Sequence, residues 1–165
     1  MNEQALQQFI ADIPNINEYA YMSVFHGITH WENVERFGLL IAREYPTADT
    51  DVIRWFAYLH DCMRGTEGVF QEHGQLAAHY VGRIRKTYLK DLSDDQIKLL
   101  KQACRWHTLV RRRKEPTGTI NICFDADRLD LWRVGIRPDP KKMATNAGAR
   151  LSELGENELY RLISL

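Results

Sequence analysis

Apolar residues recur every three or four positions along most of this 165-residue chain, which is the spacing of an amphipathic α-helix. The pattern predicts helices at about 3–13, 30–45, 51–60, 70–88, 94–107, 120–134 and 156–163. No segment shows the strong alternation of apolar and polar residues that is typical of a half-buried strand. We therefore expect an all-α fold, a compact bundle of about six to eight helices.

Two of the helix starts carry a capping pattern. Thr29 and Glu32 have the spacing of a capping box, and so do Ser93 and Gln96. In a capping box, the side chain of each of the two residues bonds the backbone N–H of the other. The first box predicts that His30 lies in the first turn of a helix. Its side chain would then project from the end of a rigid element, next to a glycine-containing loop.

The helix near 51–60 differs from the others because nearly every residue from Trp55 to Leu59 is apolar. A helix that is apolar on all sides is covered by its neighbours. The run ends in His60 and Asp61, so these side chains should emerge in the interior or in a cleft, where an unpaired charge is costly. An adjacent imidazole and carboxylate in such a place are good ligands for a divalent metal ion.

Size and charge narrow the range of functions. The chain is long enough for one domain with its own core, and we predict a single domain over residues 1–165 with a helical tail at 138–165. Its 22 basic and 22 acidic residues balance, so a nucleic-acid partner is not expected. No apolar run reaches the roughly 18 residues that span a bilayer, and the first residues lack a signal-peptide pattern. We expect a cytoplasmic protein without membrane association; its oligomeric state stays open.

The three cysteines favour neither a disulfide framework nor a zinc ribbon. Cys62, Cys104 and Cys123 are odd in number, far apart and in no CxxC arrangement. We interpret them as buried thiols.

Other histidines and acids could complete a site around His60 and Asp61. If folding brings His30 and Asp127 to this corner, two nitrogen and two oxygen donors surround one cation. Such a set suits a divalent transition metal, namely Mn, Fe, Co, Ni or Zn, better than calcium, and it admits Mg. The ion would activate water and orient a phosphoryl oxygen, which is the chemistry of phosphate ester hydrolysis. His73 and His107 are further possible ligands, so the site could hold either one ion or two.

In chain order, these residues resemble the ligand pattern H…HD…D of the HD-domain superfamily of metal-dependent phosphohydrolases. The similarity covers about 24–134 and includes the segments His26-Gly27-Ile28-Thr29-His30-Trp31-Glu32-Asn33-Val34, Leu59-His60-Asp61 and Asp125-Ala126-Asp127-Arg128-Leu129-Asp130. The resemblance implies an HD-type helical bundle. It also implies that Asp127 is the last ligand, with Asp125 and Asp130 at the helix start or behind the ligands.

With His73 and His107 included, the order resembles the two-metal variant, H…HD…H…H…D. That variant implies a catalytic role for Asp61 and His73, with Asp61 bridging the two ions. A histidine that bonds a substrate phosphate or caps a neighbouring helix fits the positions of His73 and His107 about equally well.

Substrate contacts are expected from His26, Arg64 and His107. Arg64 follows Asp61 by three positions and could hold phosphate oxygens. Some related nucleotidases have an acid at this position that assists catalysis. Because this chain has an arginine there, that role is not assigned to it. His26 lies on the loop before His30 and could equally stabilise the turn. The basic run 111–114 is better interpreted as a solvated loop.

The resemblance implies hydrolysis of a phosphomonoester or phosphodiester by metal-activated water. The expected partner is a small phosphorylated substrate, often a nucleotide in this superfamily, and a nucleotide is the expectation here. Two alternatives remain open. The chain could be a di-iron oxygenase that uses the same six ligands, or a non-catalytic module that binds a nucleotide or a protein partner.

Overall fold

The computed structural model describes residues 3–109 and 111–164, and residues 1, 2, 110 and 165 of the predicted domain lie outside this description. All regular secondary structure in the described part is helical, which confirms the all-α bundle. Its helices are α1 (Glu3–Ile16), α2 (Glu18–Met22), α3 (Ile28–Ala42), α4 (Thr50–Leu59), α5 (His73–Arg83), α6 (Asp94–Trp106), α7 (Thr119–Leu129), α8 (Asn146–Ser152) and α9 (Glu156–Ile163). Two 3₁₀ helices span Asp130–Val134 and Pro140–Lys142. None of these helices is both long and apolar enough to cross a membrane.

Helix α4 lies at the centre of the bundle, as its all-round apolar sequence predicts. Every residue from Trp55 to Leu59 is buried, and α4 packs against α3, α6 and α7. Each large apolar side chain buried in this way contributes about 1.5–3 kcal/mol relative to an exposed one. The packing fixes the end of α4, and therefore the backbone of His60 and Asp61, with respect to three other helices.

Several helix boundaries differ from the predicted ones. The Ser93 capping box is present, but the Thr29 prediction is wrong, because α3 starts at Ile28 with Gly27 as its N-cap. A Cβ at Gly27 would lie 2.3 Å from the carbonyl oxygen of Ser23, so only glycine fits there. Helix α5 is shorter than predicted, and α7 ends at Leu129 before the 3₁₀ helix. Helices α2 and α8 were not predicted.

The C-terminal segment is anchored to the bundle by Asp125 in the middle of α7. The Asp125 carboxylate is fully buried and accepts hydrogen bonds from the backbone N–H of Ala144 (2.7 Å), the backbone N–H of Thr145 (2.8 Å) and the Thr145 hydroxyl (2.7 Å). Helix α8 then packs on α7, and α9 packs on α3. Asp125 therefore lies neither at a helix start nor behind the predicted metal ligands, and that expectation was wrong.

The three cysteines are buried free thiols, as predicted. Burial raises the pKa of each thiol well above its usual value, so all three stay protonated at neutral pH.

Candidate metal centre

Helix ends bring the six predicted ligands to one place. His30 lies in the first turn of α3, and His73 is the first residue of α5. His60 and His107 are the residues that cap the C-terminal ends of α4 and α6. Asp61 follows His60 directly, and Asp127 comes from the last turn of α7. All six are buried except Asp127, whose side chain is 19% exposed.

The ligand atoms form two groups. His30, His60 and Asp127 offer atoms that all lie within 4.8 Å of one another, and Asp61, His73 and His107 do the same. In the first group, Asp127 Oδ1 lies 3.3 Å from His30 Nε2 and 3.8 Å from His60 Nε2. Each group has the size and the donor types of a divalent metal site.

Asp61 connects the two groups. Its Oδ2 lies 3.7 Å from His60 Nε2 in the first group, while its Oδ1 lies 3.2 Å from His73 Nε2 and 3.7 Å from His107 Nε2 in the second. Asp61 Oδ1 is buried and accepts no hydrogen bond from the described residues. A buried carboxylate oxygen without a donor carries a large desolvation cost, which a cation would offset.

The four histidines present the same ring edge to the site because each Nδ1 is held by an oxygen. His30 Nδ1 donates to Asp130 Oδ2 (2.7 Å), and His107 Nδ1 donates to the carbonyl of Cys104 (2.7 Å). His60 Nδ1 bonds the carbonyl of Ala57 (3.0 Å), and His73 Nδ1 bonds that of Phe70. In a neutral ring with a protonated Nδ1, Nε2 carries only a lone pair. The bonds therefore orient four Nε2 lone pairs inward, as in protein metal sites.

These lone pairs face one another at short range. His30 Nε2 lies 3.2 Å from His60 Nε2, and His73 Nε2 lies 2.9 Å from His107 Nε2. Two lone pairs this close require a proton or a metal ion between them. With four imidazole nitrogens and two carboxylates, the donor set fits one or two transition-metal ions.

In each histidine pair, the pKa of one ring is raised and the pKa of the other is lowered. Burial lowers the pKa of His60 to about 3 and also lowers that of His73. Burial opposes protonation of His30 and His107 too, but hydrogen bonds to Asp127 and Asp130 raise the pKa of His30, and the Asp61 carboxylate, 3.7 Å from Nε2, raises that of His107. Each pair thus has one ring that favours a proton.

Metal binding is therefore expected to release protons. In the ion-free protein, the protonated forms of His30 and His107 are stabilised below pH about 6.5, and that stabilisation disappears as the pH rises through their raised pKa values. An ion must displace these protons, so metal affinity should fall as the pH is lowered from about 8 to about 6. Calorimetric titration with Mn²⁺ in buffers of different ionisation enthalpy measures the released protons. Equal affinities at both pH values, without proton release, would contradict the assignment.

His26 and Arg64 lie at the edge of the two groups. His26 Nδ1 donates to Asp61 Oδ2 (3.1 Å), and the side chain is 18% exposed. Arg64 is buried; its Nη1 lies 3.7 Å from Asp61 Oδ1, and its Nη2 donates to the carbonyl of Gly68 (2.8 Å). Both side chains therefore reach the predicted site, His26 from the α2–α3 loop and Arg64 from the segment after α4.

A surface cleft opens beside the second group, with a volume of about 620 Å³. Arg64, His73, Arg105 and Trp106 are among the residues that line it. No acidic side chain is found among the described residues that line the cleft. The basic run predicted as a solvated loop is elsewhere, with Arg112 to Lys114 lining a different cleft near Tyr45.

Sequence reasoning missed two supports of the site, Tyr160 and Glu67. Tyr160 bonds Asp130, which lies behind the ligand His30 as one of the two expected placements had it, and Asn33 bonds the same carboxylate. Glu67 joins the loop before α3 to the segment after α4 through Ser23 (2.9 Å) and the backbone N–H of Val24 (3.2 Å). No periodicity or motif in the sequence marks Tyr160 or Glu67.

The comparisons with known proteins agree with this geometry. The model of the HD domain family matches residues 27–132, a range that contains all six predicted ligands. No curated protein and no solved structure matches the chain. The family match places the chain in a superfamily of metal-dependent hydrolases, and the two His/Asp groups can hold a metal ion. The chain belongs to the HD domain family.

Proposed function

We propose that this protein hydrolyses a small phosphorylated substrate, a phosphomonoester or phosphodiester of the nucleotide kind, by attack of an activated water. The observation that carries the proposal is the position of Asp61, which turns one carboxylate oxygen towards each of two histidine-containing groups. Sites with two metal ions and a shared ligand are common among phosphoester hydrolases.

The residues that would hold the ions are His30, His60 and Asp127 in one group and His73 and His107 in the other, with Asp61 shared. Bound ions would supply Lewis acidity, which lowers the pKa of water and offsets charge on a phosphoryl oxygen. The nitrogen-rich donor set supports Mn, Fe, Co, Ni or Zn over Mg.

Residues around the ions have separate roles in this proposal. Arg64 carries a charge that attracts phosphate oxygens, and its Nη1 lies 3.7 Å from Asp61 Oδ1, close to where the ions would bind. His26 bonds Asp61 from a partly exposed position, where it can orient that carboxylate or donate a proton to the leaving oxygen. His73 and His107 lie 3.2 and 3.7 Å from Asp61 Oδ1 and act as ligands or as direct phosphate contacts, and His73 also lines the cleft.

The cleft beside the second group supports a nucleotide-like substrate. Arg64 and Arg105 contribute positive charge, and the described lining residues bring no carboxylate that would repel an anion. Trp106 offers a flat ring on which a base can stack. The cleft is therefore suited to a ligand that joins an anionic group to a planar apolar group.

The test is phosphate release by metal-depleted protein to which Mn²⁺, Co²⁺, Ni²⁺, Zn²⁺, Fe²⁺ or Mg²⁺ is added, over a panel of nucleotide and sugar phosphomonoesters and phosphodiesters. We expect metal-dependent turnover of at least one class, with the same rate in the absence of oxygen. The same six ligands could also serve a di-iron oxygenase. Oxygen uptake that requires iron, without phosphate release, would overturn the hydrolase proposal in favour of that activity.

A non-catalytic module is the less favoured alternative. Such a module gains nothing from keeping five buried ligands and a partly buried sixth, whose unpaired lone pairs cost folding energy. Tight binding of a nucleotide without turnover under any of these metals would support it.

A further inference from the structure

A chain of hydrogen bonds leads from the C-terminal helix to the metal centre. The Tyr160 hydroxyl on α9 donates to Asp130 Oδ1 (2.6 Å), and the other oxygen of Asp130 accepts from His30 Nδ1 (2.7 Å). Asn33 donates to the same oxygen as Tyr160 (3.0 Å). Asp130 is fully buried, so these bonds form where water does not compete.

The two donors fix the orientation of the Asp130 carboxylate. With Oδ1 held by Tyr160 and Asn33, Oδ2 is directed at His30. Rotation of the carboxylate would break these bonds and remove the acceptor that holds the His30 ring. The orientation of Nε2 on His30, which faces His60 and Asp127, therefore depends on groups behind the ring.

Helix α9 is held against α3, the helix that carries His30. The Tyr160 ring packs on Phe37 of α3 with ring centroids 5.8 Å apart, and α9 contacts α3. Tyr160 lies outside the region matched by the HD domain family, residues 27–132. The contact is thus a feature of this chain's own C-terminal segment.

We propose that Tyr160 is a positioning residue of the metal centre. Its hydroxyl acts through Asp130 to hold His30 in the orientation that binds an ion. Without α9, residues 27–132 would hold the His30 ring less firmly in this orientation. The inference rests on the proposed metal centre. Binding coupling is reciprocal, and an ion at His30 therefore strengthens the docking of α9 by the same factor as Tyr160 strengthens ion binding.

The test is the affinity of Tyr160→Phe for Mn²⁺, measured by calorimetric titration of metal-depleted protein. Phenylalanine keeps the packing on Phe37 and removes only the hydroxyl. We expect the affinity for an ion at His30 to fall about tenfold, the lower end of the range for residues behind metal ligands.

Tyr58→Phe is the matched control. It removes a hydroxyl that donates at the same 2.6 Å distance to a carboxylate of α3, that of Glu35, which contacts none of the predicted ligands. Loss of a structural bond affects both variants, but only Tyr160→Phe should weaken Mn²⁺ binding. Hydrogen exchange gives an independent readout: Mn²⁺ should slow amide exchange in α9 of the wild type and of Tyr58→Phe, and should do so less in Tyr160→Phe.

The outcomes separate this inference from the proposed function. Wild-type affinity in Tyr160→Phe would overturn the positioning role. Failure of the wild type to bind any divalent ion would overturn both the metal centre and the inference. Weakened Mn²⁺ binding in Tyr160→Phe would support the inference even if no phosphoester were hydrolysed, because the measurement does not require turnover.

Discussion

Asp61→Asn is expected to abolish metal-dependent phosphate release, with a loss of roughly a thousandfold or more. Asparagine has the shape of aspartate but lacks its charge, and only one of its two terminal atoms is an oxygen. The amide nitrogen would donate to a ring Nε2 and occupy a lone pair that the ion requires. The variant should therefore retain fewer ions per chain than the wild type, as measured by elemental analysis of protein purified without chelator.

Asp49→Asn serves as the control at the opposite end of α4. Asp49 caps this helix by accepting from the backbone N–H of Val52 (3.1 Å), and asparagine is an equally good cap. The control should keep its ions and its activity. An Asp61→Asn protein that is folded, fully loaded and active would refute the shared-ligand assignment, whatever the substrate.

Asp125→Ala is expected to have the largest effect on stability among the polar substitutions considered. It leaves the N–H groups of Ala144 and Thr145 and the Thr145 hydroxyl without their acceptor in a buried position. Unsatisfied buried donors cost about 1–3 kcal/mol each before water or rearrangement relieves them, so we expect a net loss of about 3 kcal/mol. Urea denaturation monitored by circular dichroism measures the change in the free energy of unfolding.

Asp139→Ala is the comparison for this prediction. Asp139 lies in the same C-terminal segment and caps the 3₁₀ helix Pro140–Lys142 by accepting from the backbone N–H of Lys141 (2.9 Å), but its bond is exposed. A loss of about 1 kcal/mol or less is expected there. Equal losses in the two variants would show that Asp125 is not the principal anchor of the C-terminal segment.

The sequence was most informative where chemistry coincided with a local pattern. The apolar run from Trp55 to Leu59 predicted a covered helix, and its abrupt end placed His60 and Asp61 in the interior. The helical periodicity predicted the all-α bundle for a similar reason. A helix that buries one face has apolar residues at every third or fourth position, and this spacing is visible in the sequence.

Other features depend on contacts between distant segments, which leave no local pattern. The start of α3 was misplaced because Gly27 is required by the close approach of the Ser23 carbonyl, whereas Thr29 only satisfied a motif. The supports of the site from Glu67 and Tyr160 join segments 43 and 30 residues apart. Hydrogen bonds of this kind follow from the tertiary arrangement, and helical spacing does not predict them.

The contact between His30 and Asp130 joins residues that are 100 positions apart in the chain. Loop closure over such a distance carries an entropy cost that must be met before the ligands meet. The site therefore cannot preassemble in the unfolded chain, and ions would enter only after the helices have collapsed together. Bound metal should consequently slow unfolding while leaving the rate of folding nearly unchanged.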